Sequence, residues 1–223
     1  MSESQKNPGA VDYFHRRIQD FDDIYRNDKK GLLSFLNKTI RASVRIRFDL
    51  AFKILGELGG KSILDIGCGS GRYMFKAAER NAGYIVGVDA AAGALEKARQ
   101  IAADLDLKDK VRFIEGDFID CSFDRRFDVI FAVGYFDYIF NPVDHLKKMA
   151  DLSDDIIYAS FPKLWSPLTI TRKIRLMLIR CPVRFYTKAK IRRLCRESGV
   201  ANYEINPIYR DYILIVRKKG SIL

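Results

Sequence analysis

Short apolar runs alternate along the chain with stretches whose apolar positions recur every three to four residues. The runs fall at 63–66, 84–89, 111–115, 127–133, 156–159, 203–206 and 212–216. They are too short for helices and rich in Ile, Val and Phe, so each predicts a strand. Before the first, Val44, Phe48, Ala51, Leu55 and Leu58 line one side of a helix, with Arg41, Arg45 and Arg47 off that side and Gly59-Gly60 ending it. Residues 72–81 predict a crossover helix, and Ala94, Leu95, Ala98, Ile101, Ala102 and Leu105 an amphipathic one. Pro142 suits the first turn of a helix carrying Val143, Leu146 and Met149, from which His145 is expected to face outward. A helix over 187–199 closes on Gly199, and the last two runs predict an antiparallel hairpin. The alternation predicts an α/β fold: a doubly wound, mostly parallel sheet with helices on both faces, in one domain.

The strand ends carry the chemistry. Ile63, Leu64 and Ile66 enclose a single acid, Asp65, and then the chain breaks into Gly67, Gly69 and Gly71 around Cys68 before a helix begins. Such a loop brings a ligand against bare backbone, and its N–H groups with the helix dipole favour an electron-rich group. The second run ends in Asp89-Ala90, with Asp89 standing 24 residues beyond Asp65. That is near the spacing of about 20 residues at which a βαβ unit sets an acid on a ribose diol. The third run leads to Asp117-Phe118 and the fourth to Val133-Gly134, where a doubly wound sheet has its ligand crevice.

The ordered set Ile-Leu-Asp-Ile-Gly-Cys-Gly-Ser-Gly, Gly-Val-Asp, Glu-Gly-Asp-Phe and Phe-Asp-Val-Ile resembles the class I S-adenosylmethionine-dependent methyltransferases, closely over residues 61–160. The resemblance implies a seven-stranded Rossmann-like sheet and S-adenosylmethionine as cofactor, with S-adenosylhomocysteine as product. It also implies roles: Asp65 and the three glycines at the methionine moiety, Asp89 on the ribose hydroxyls, Asp117 on the adenine amino group, and Phe118 against the ring. N-terminal helices would cap the cofactor and shape the acceptor pocket. The expected layout is a cap over 1–58, a cofactor core over 59–160, a lid or insertion over 161–186, and a closing helix and hairpin over 187–223.

Composition adds a compartment and an asymmetry. No apolar run reaches the length of a membrane span and the first residues hold no signal core, so the chain reads as cytoplasmic. Cys68, Cys121, Cys181 and Cys195 have no CxxC pairing and read as reduced thiols, and the two histidines suggest no metal site. Cys68 reads as a small filler of the loop. Of the net charge of +11, residues 161–223 hold +12 and the first 160 residues −1. Ten Lys and Arg and no acid occupy 172–196, interleaved upstream with Ile170, Ile174, Leu178 and Ile179. Two readings stay open: a solvated helix covering the sheet edge, or a basic lid facing an anionic group or membrane surface.

The acceptor side is less legible. Family members that methylate planar base amines carry Asn/Asp-Pro-Pro-aromatic after the fourth strand, whereas this chain has Gly134-Tyr135-Phe136-Asp137-Tyr138. A small-molecule acceptor with an oxygen or nitrogen nucleophile is the better expectation. Tyr13, His15, Asp137 and Tyr138 are the candidates for removing a proton. Tyr13 and Tyr138 match positions used by magnesium-protoporphyrin O-methyltransferases, with tyrosine here in place of that enzyme's histidine. The alternative is an RNA-directed methyltransferase, or a non-catalytic nucleic-acid-binding protein on the same fold. A nicotinamide dehydrogenase is disfavoured because Arg72 stands where the third glycine of its fingerprint belongs.

Overall fold

The computed structural model describes residues 32–164 and 183–218, with side chains from residue 42 onward. A long helix α1 (Leu32–Leu55) precedes β1 (Ser62–Ile66), which delivers the glycine loop into α2 (Arg72–Glu79). The chain then runs through β2 (Tyr84–Asp89), α3 (Ala92–Asp104) and β3 (Val111–Glu115), and crosses β1 to reach β4 (Phe127–Ala132). After that come α4 (Pro142–Leu152), β5 (Ser153–Pro162), α5 (Lys188–Glu197), β6 (Tyr203–Pro207) and β7 (Asp211–Arg217). The strands form one seven-stranded sheet in the order β3-β2-β1-β4-β5-β7-β6. Pairings from β3 to β5 are parallel, and β7 pairs antiparallel with both β5 and β6.

Alternation along each strand builds two cores. Ile63, Ile85, Val129, Tyr158 and Ile213 pack on the face covered by α1, α2 and α3. Leu64, Val86, Ile130, Ile157 and Leu214 pack on the face covered by α4 and α5. Central strands buried on both faces read as continuous apolar runs, the pattern seen in the sequence.

Several boundaries move. α1 stops at Leu55, because Gly56 takes φ 60° and ends it, four residues before Gly60. Leu58 is still fully buried, now from the connecting loop. Arg47 turns inward to the Asp211 carboxylate, 3.5 Å away, whereas Arg45 stays exposed. The crossover helix ends at Glu79, and Asn81 turns left-handed with φ 60°. β5 is longer than 156–159, because it is held on both sides: Ser153 pairs with Phe127 of β4 and Pro162 with Asp211 of β7. His145 is buried, contrary to the expected outward position. The predicted lid lies mostly outside the described residues, as do the first 31 residues of the expected cap.

Candidate active site

The sheet order reverses between β1 and β4, which opens a crevice beyond the strand ends, and the expected residues meet there. Gly67, Gly69 and Gly71 all take positive φ, at 69°, 54° and 84°. Space for a side chain is also short at two of them. A Cβ on Gly71 would lie 2.8 Å from the Phe75 ring, and one on Gly67 would lie 3.1 Å from Tyr135.

The loop spends its N–H groups internally. Gly67 N and Cys68 N donate to Val88 O, Gly71 N donates to Cys68 O, and Gly69 N donates to Asp89 Oδ2 at 2.8 Å. The N–H groups of Gly67, Cys68, Gly69 and Gly71 are thus already engaged within the protein. Three of these donors brace the loop on β2 and the fourth closes its own turn, and the bare Cα surface is what remains for a ligand. Cys68 is buried beside Gly87 and Met74, and burial pushes its thiol up, so the side chain fills space as expected.

Asp89 is set by two backbone donors, Gly69 N on Oδ2 and Ala91 N at 2.9 Å on Oδ1, and Ala90 between them is exposed. Asp65 differs. It is 2% exposed, and its Oδ2 has no hydrogen-bond partner among the described residues. Burial first and the nearby Asp89 second push its carboxyl up to about 8. An unpartnered carboxylate oxygen beneath a glycine loop asks for a cation, which the amino end of a methionine moiety supplies.

Opposite, Asp117 accepts from Ile119 N at 3.2 Å through Oδ1. Phe118 does not offer an open ring face. It is 1% exposed and enclosed by Phe123, Tyr135 and His145, so it supports the crevice floor from inside. Val133 and Gly134 line the end of β4, where Gly134 takes φ 78° and its N–H donates to Ser160 Oγ at 2.8 Å.

Beyond Gly134 the chain turns, with Tyr138 N donating to Tyr135 O at 3.2 Å. Asp137 is buried and its carbonyl accepts from Arg184 N, while Tyr138 is half-buried. The pairing that sequence reasoning missed is Tyr135 with His145: the phenol oxygen and Nδ1 are 2.6 Å apart. Burial lowers the pKa of His145 and raises that of Tyr135, which favours the neutral pair. The signal was present in the aromatic run after β4, but the ten-residue separation is bridged only by the turn into α4. Tyr13 and His15 lie outside the described residues.

α1 closes one side of the crevice. Phe48 and Phe52 pack on Tyr73 just past the loop, and the Arg72 guanidinium lies 4.2 Å from the Phe48 ring centre. A buried polar chain joins the helix to the strand ends: Ser43 Oγ donates to Asp211 Oδ2 at 3.0 Å, and Tyr158 OH donates to Arg47 O at 2.8 Å. Among the described residues no cluster of His, Cys, Asp and Glu suits a metal ion, and no helix is long and apolar enough to cross a membrane.

A reversed-order sheet with a braced glycine loop and an acid ending β2 defines a Rossmann-like fold built to hold a nucleoside cofactor. Residues 58–161 match the family described as "Methyltransferase domain". The ubiquinone biosynthesis O-methyltransferase of Neisseria meningitidis serogroup C is 26% identical over 155 residues, 65% of each chain. A cypemycin N-terminal methyltransferase from a Streptomyces species is 41% identical over 73 residues, 33% of this chain and 28% of that protein. The chain thus spans less than two thirds of these relatives' length. The fold matches magnesium protoporphyrin IX methyltransferase from Synechocystis PCC 6803, solved with bound SAH, at TM-score 0.76 and 21% identity, over 96% of this chain and 100% of that one. The orphaned Asp65 oxygen, the glycine loop and Asp89 fit a nucleoside cofactor that carries a cationic amino end.

Proposed function

We propose that the protein methylates an oxygen or nitrogen of a small-molecule acceptor held beside the turn after β4. The observation that carries this reading is the turn itself: Gly134-Tyr135-Phe136-Asp137-Tyr138 follows β4 at the crevice, with Tyr135 and Tyr138 half-buried, and lacks the proline pair of base-methylating enzymes. The relatives named for ubiquinone and magnesium protoporphyrin chemistry support it.

When bound, S-adenosylmethionine supplies a methyl group on a sulfonium sulfur. The residues of this chain hold and align the reactants. Asp65 faces the amino end of the methionine moiety, Asp89 accepts from the ribose hydroxyls, and Asp117 accepts from the adenine amino group, each through charge-assisted bonds. Gly67, Gly69 and Gly71 bring the backbone close, while α1 keeps water from one side. Holding the nucleophile in line is the main contribution to rate. An oxygen nucleophile must also lose a proton, for which Tyr138 and Asp137 stand after β4 and Tyr13 comes from the N-terminal segment. The basic segment 172–196 would attract an anionic group on the acceptor or an anionic surface. In its described part, Arg184 lies over Phe140 and Lys190 over Tyr186.

The test is transfer of a labelled methyl group from S-adenosylmethionine into a cell extract, followed by RNase and protease digestion. Label in the low-mass fraction of the undigested extract is the expected result. Label that reaches that fraction only after RNase or protease contradicts the reading, and the RNase case supports an RNA-directed enzyme.

A further inference from the structure

We propose that Lys148 is a positioning residue for recognition of the cofactor's adenine, acting through the backbone of residues 117–121; this role rests on the placement of Asp117 against the adenine amino group. Lys148 belongs to α4, on the opposite side of β4 from β3, yet its ammonium reaches the loop that follows β3. There it donates to three carbonyls, Phe118 O at 2.7 Å, Ile119 O at 2.9 Å and Cys121 O at 2.5 Å. An ammonium has three donors radiating from one atom, and this loop takes all three. The same nitrogen lies 4.8 Å from the Phe118 ring centre and 5.7 Å from that of Phe123.

The loop closes around that nitrogen and on Asp117. Asp120 N donates to Asp117 O at 3.0 Å, Cys121 N to Phe118 O at 3.3 Å, and the Cys121 thiol to Asp117 O at 3.3 Å. Ile119 N takes Asp117 Oδ1 and so fixes the carboxylate's rotation. With Oδ1 held in this way, Oδ2 is the oxygen that would meet a ligand amino group. Burial lowers the pKa of Lys148, and the nearby Asp120 and Asp117 oppose that by favouring its charged form.

Removing the three donors leaves three converging carbonyls to repel one another and lets the loop turn. What suffers is the direction in which Asp117 presents its oxygen. A site built to hydrogen-bond one group discriminates strongly against an analogue lacking it, and that discrimination is lost when the acceptor moves. Lys148 touches neither substrate nor cofactor. Its effect is therefore read in adenine selectivity and not in overall fold.

The experiment is calorimetry with S-adenosylhomocysteine and with S-inosylhomocysteine, whose base carries an oxo group in place of the amino group. The unsubstituted protein should prefer the adenine compound by tenfold or more. Lys148→Met should weaken S-adenosylhomocysteine by about tenfold while changing S-inosylhomocysteine less than threefold, and Lys148→Gln, which keeps one donor group, should fall between. Equal weakening of both compounds, or of neither, overturns the proposal. Asp117→Ala separates the two layers of the argument. If that variant keeps the adenine preference, or the unsubstituted protein has none, the assignment of Asp117 fails and the role of Lys148 with it.

Discussion

Asp65 sits beneath the glycine loop with one oxygen unpartnered, beside Asp89 and out of reach of water. Its carboxyl is pushed from 3.8 to about 8, so between those values the folded protein holds a proton that the unfolded chain has released. Stability of the ligand-free protein should therefore fall as pH rises from about 4 to about 8. Asp65→Asn should flatten that slope in urea melts at pH 5 and pH 8.5, and an unchanged slope would mean that Asp65 titrates normally. A cationic amino group beside Asp65 favours its ionised form. Binding of S-adenosylhomocysteine should then release a proton below pH 8 and tighten with rising pH, which calorimetry in two buffers of different ionisation heat measures directly.

At the scale of elements, two close contacts set the crevice. β2 touches the loop through Gly87, where a Cβ would stand 2.4 Å from Met74 Sδ and 2.8 Å from Cys68 Sγ. Gly87→Ala should lower stability by about 1–3 kcal/mol, because the packed core cannot give way freely. A melt unchanged by this substitution would show that Met74 swings aside at no cost. α1 is held at its C-terminus and near its middle. Arg80 donates to Phe52 O and Gly56 O at its C-terminus, where a cation suits the helix dipole, and Ser43 and Arg47 meet Asp211. Asp211→Ala leaves Arg47 buried without its carboxylate and should cost about 3–5 kcal/mol. Protease cleavage within α1 should appear in this variant before the sheet unfolds, and simultaneous loss of both would place α1 in the same cooperative unit.

At the scale of the molecule, the order of elements and the crevice were legible because periodicity and the motif order agree. Asp65, the three glycines and Asp89 each end a strand that its apolar run announces, and a strand end is where a doubly wound sheet puts its ligand. What failed to show was whatever depends on a turn or on distant partners. Phe118 looks like a ring for stacking, yet Phe123, Tyr135 and His145 enclose it. His145 looked exposed because helical spacing alone does not reveal that Tyr135 folds back to meet it. Lys148 carries no motif at all, since carbonyl groups leave no mark in a sequence.

The charge asymmetry belongs to this scale too. Arg184, Lys188 and Lys190 cluster around α5's first turn, which holds no acid. Replacing all three by Gln should weaken low-salt binding to inorganic phosphate and to phosphatidylglycerol vesicles, while S-adenosylhomocysteine binds as before. Binding unchanged for both anions would make these residues a solvated face.

The central claim is that the crevice at the β1/β4 reversal holds S-adenosylmethionine, with Asp89 on the ribose. Calorimetric titration of the full chain and of Asp89→Ala with S-adenosylhomocysteine, beside NADH as a control, tests it most directly. Saturable one-to-one binding by the unsubstituted protein, loss of about 1.5–3 kcal/mol in the variant and no heat from NADH are the expected results. Absence of saturable binding, or equal affinity in Asp89→Ala, would contradict the account.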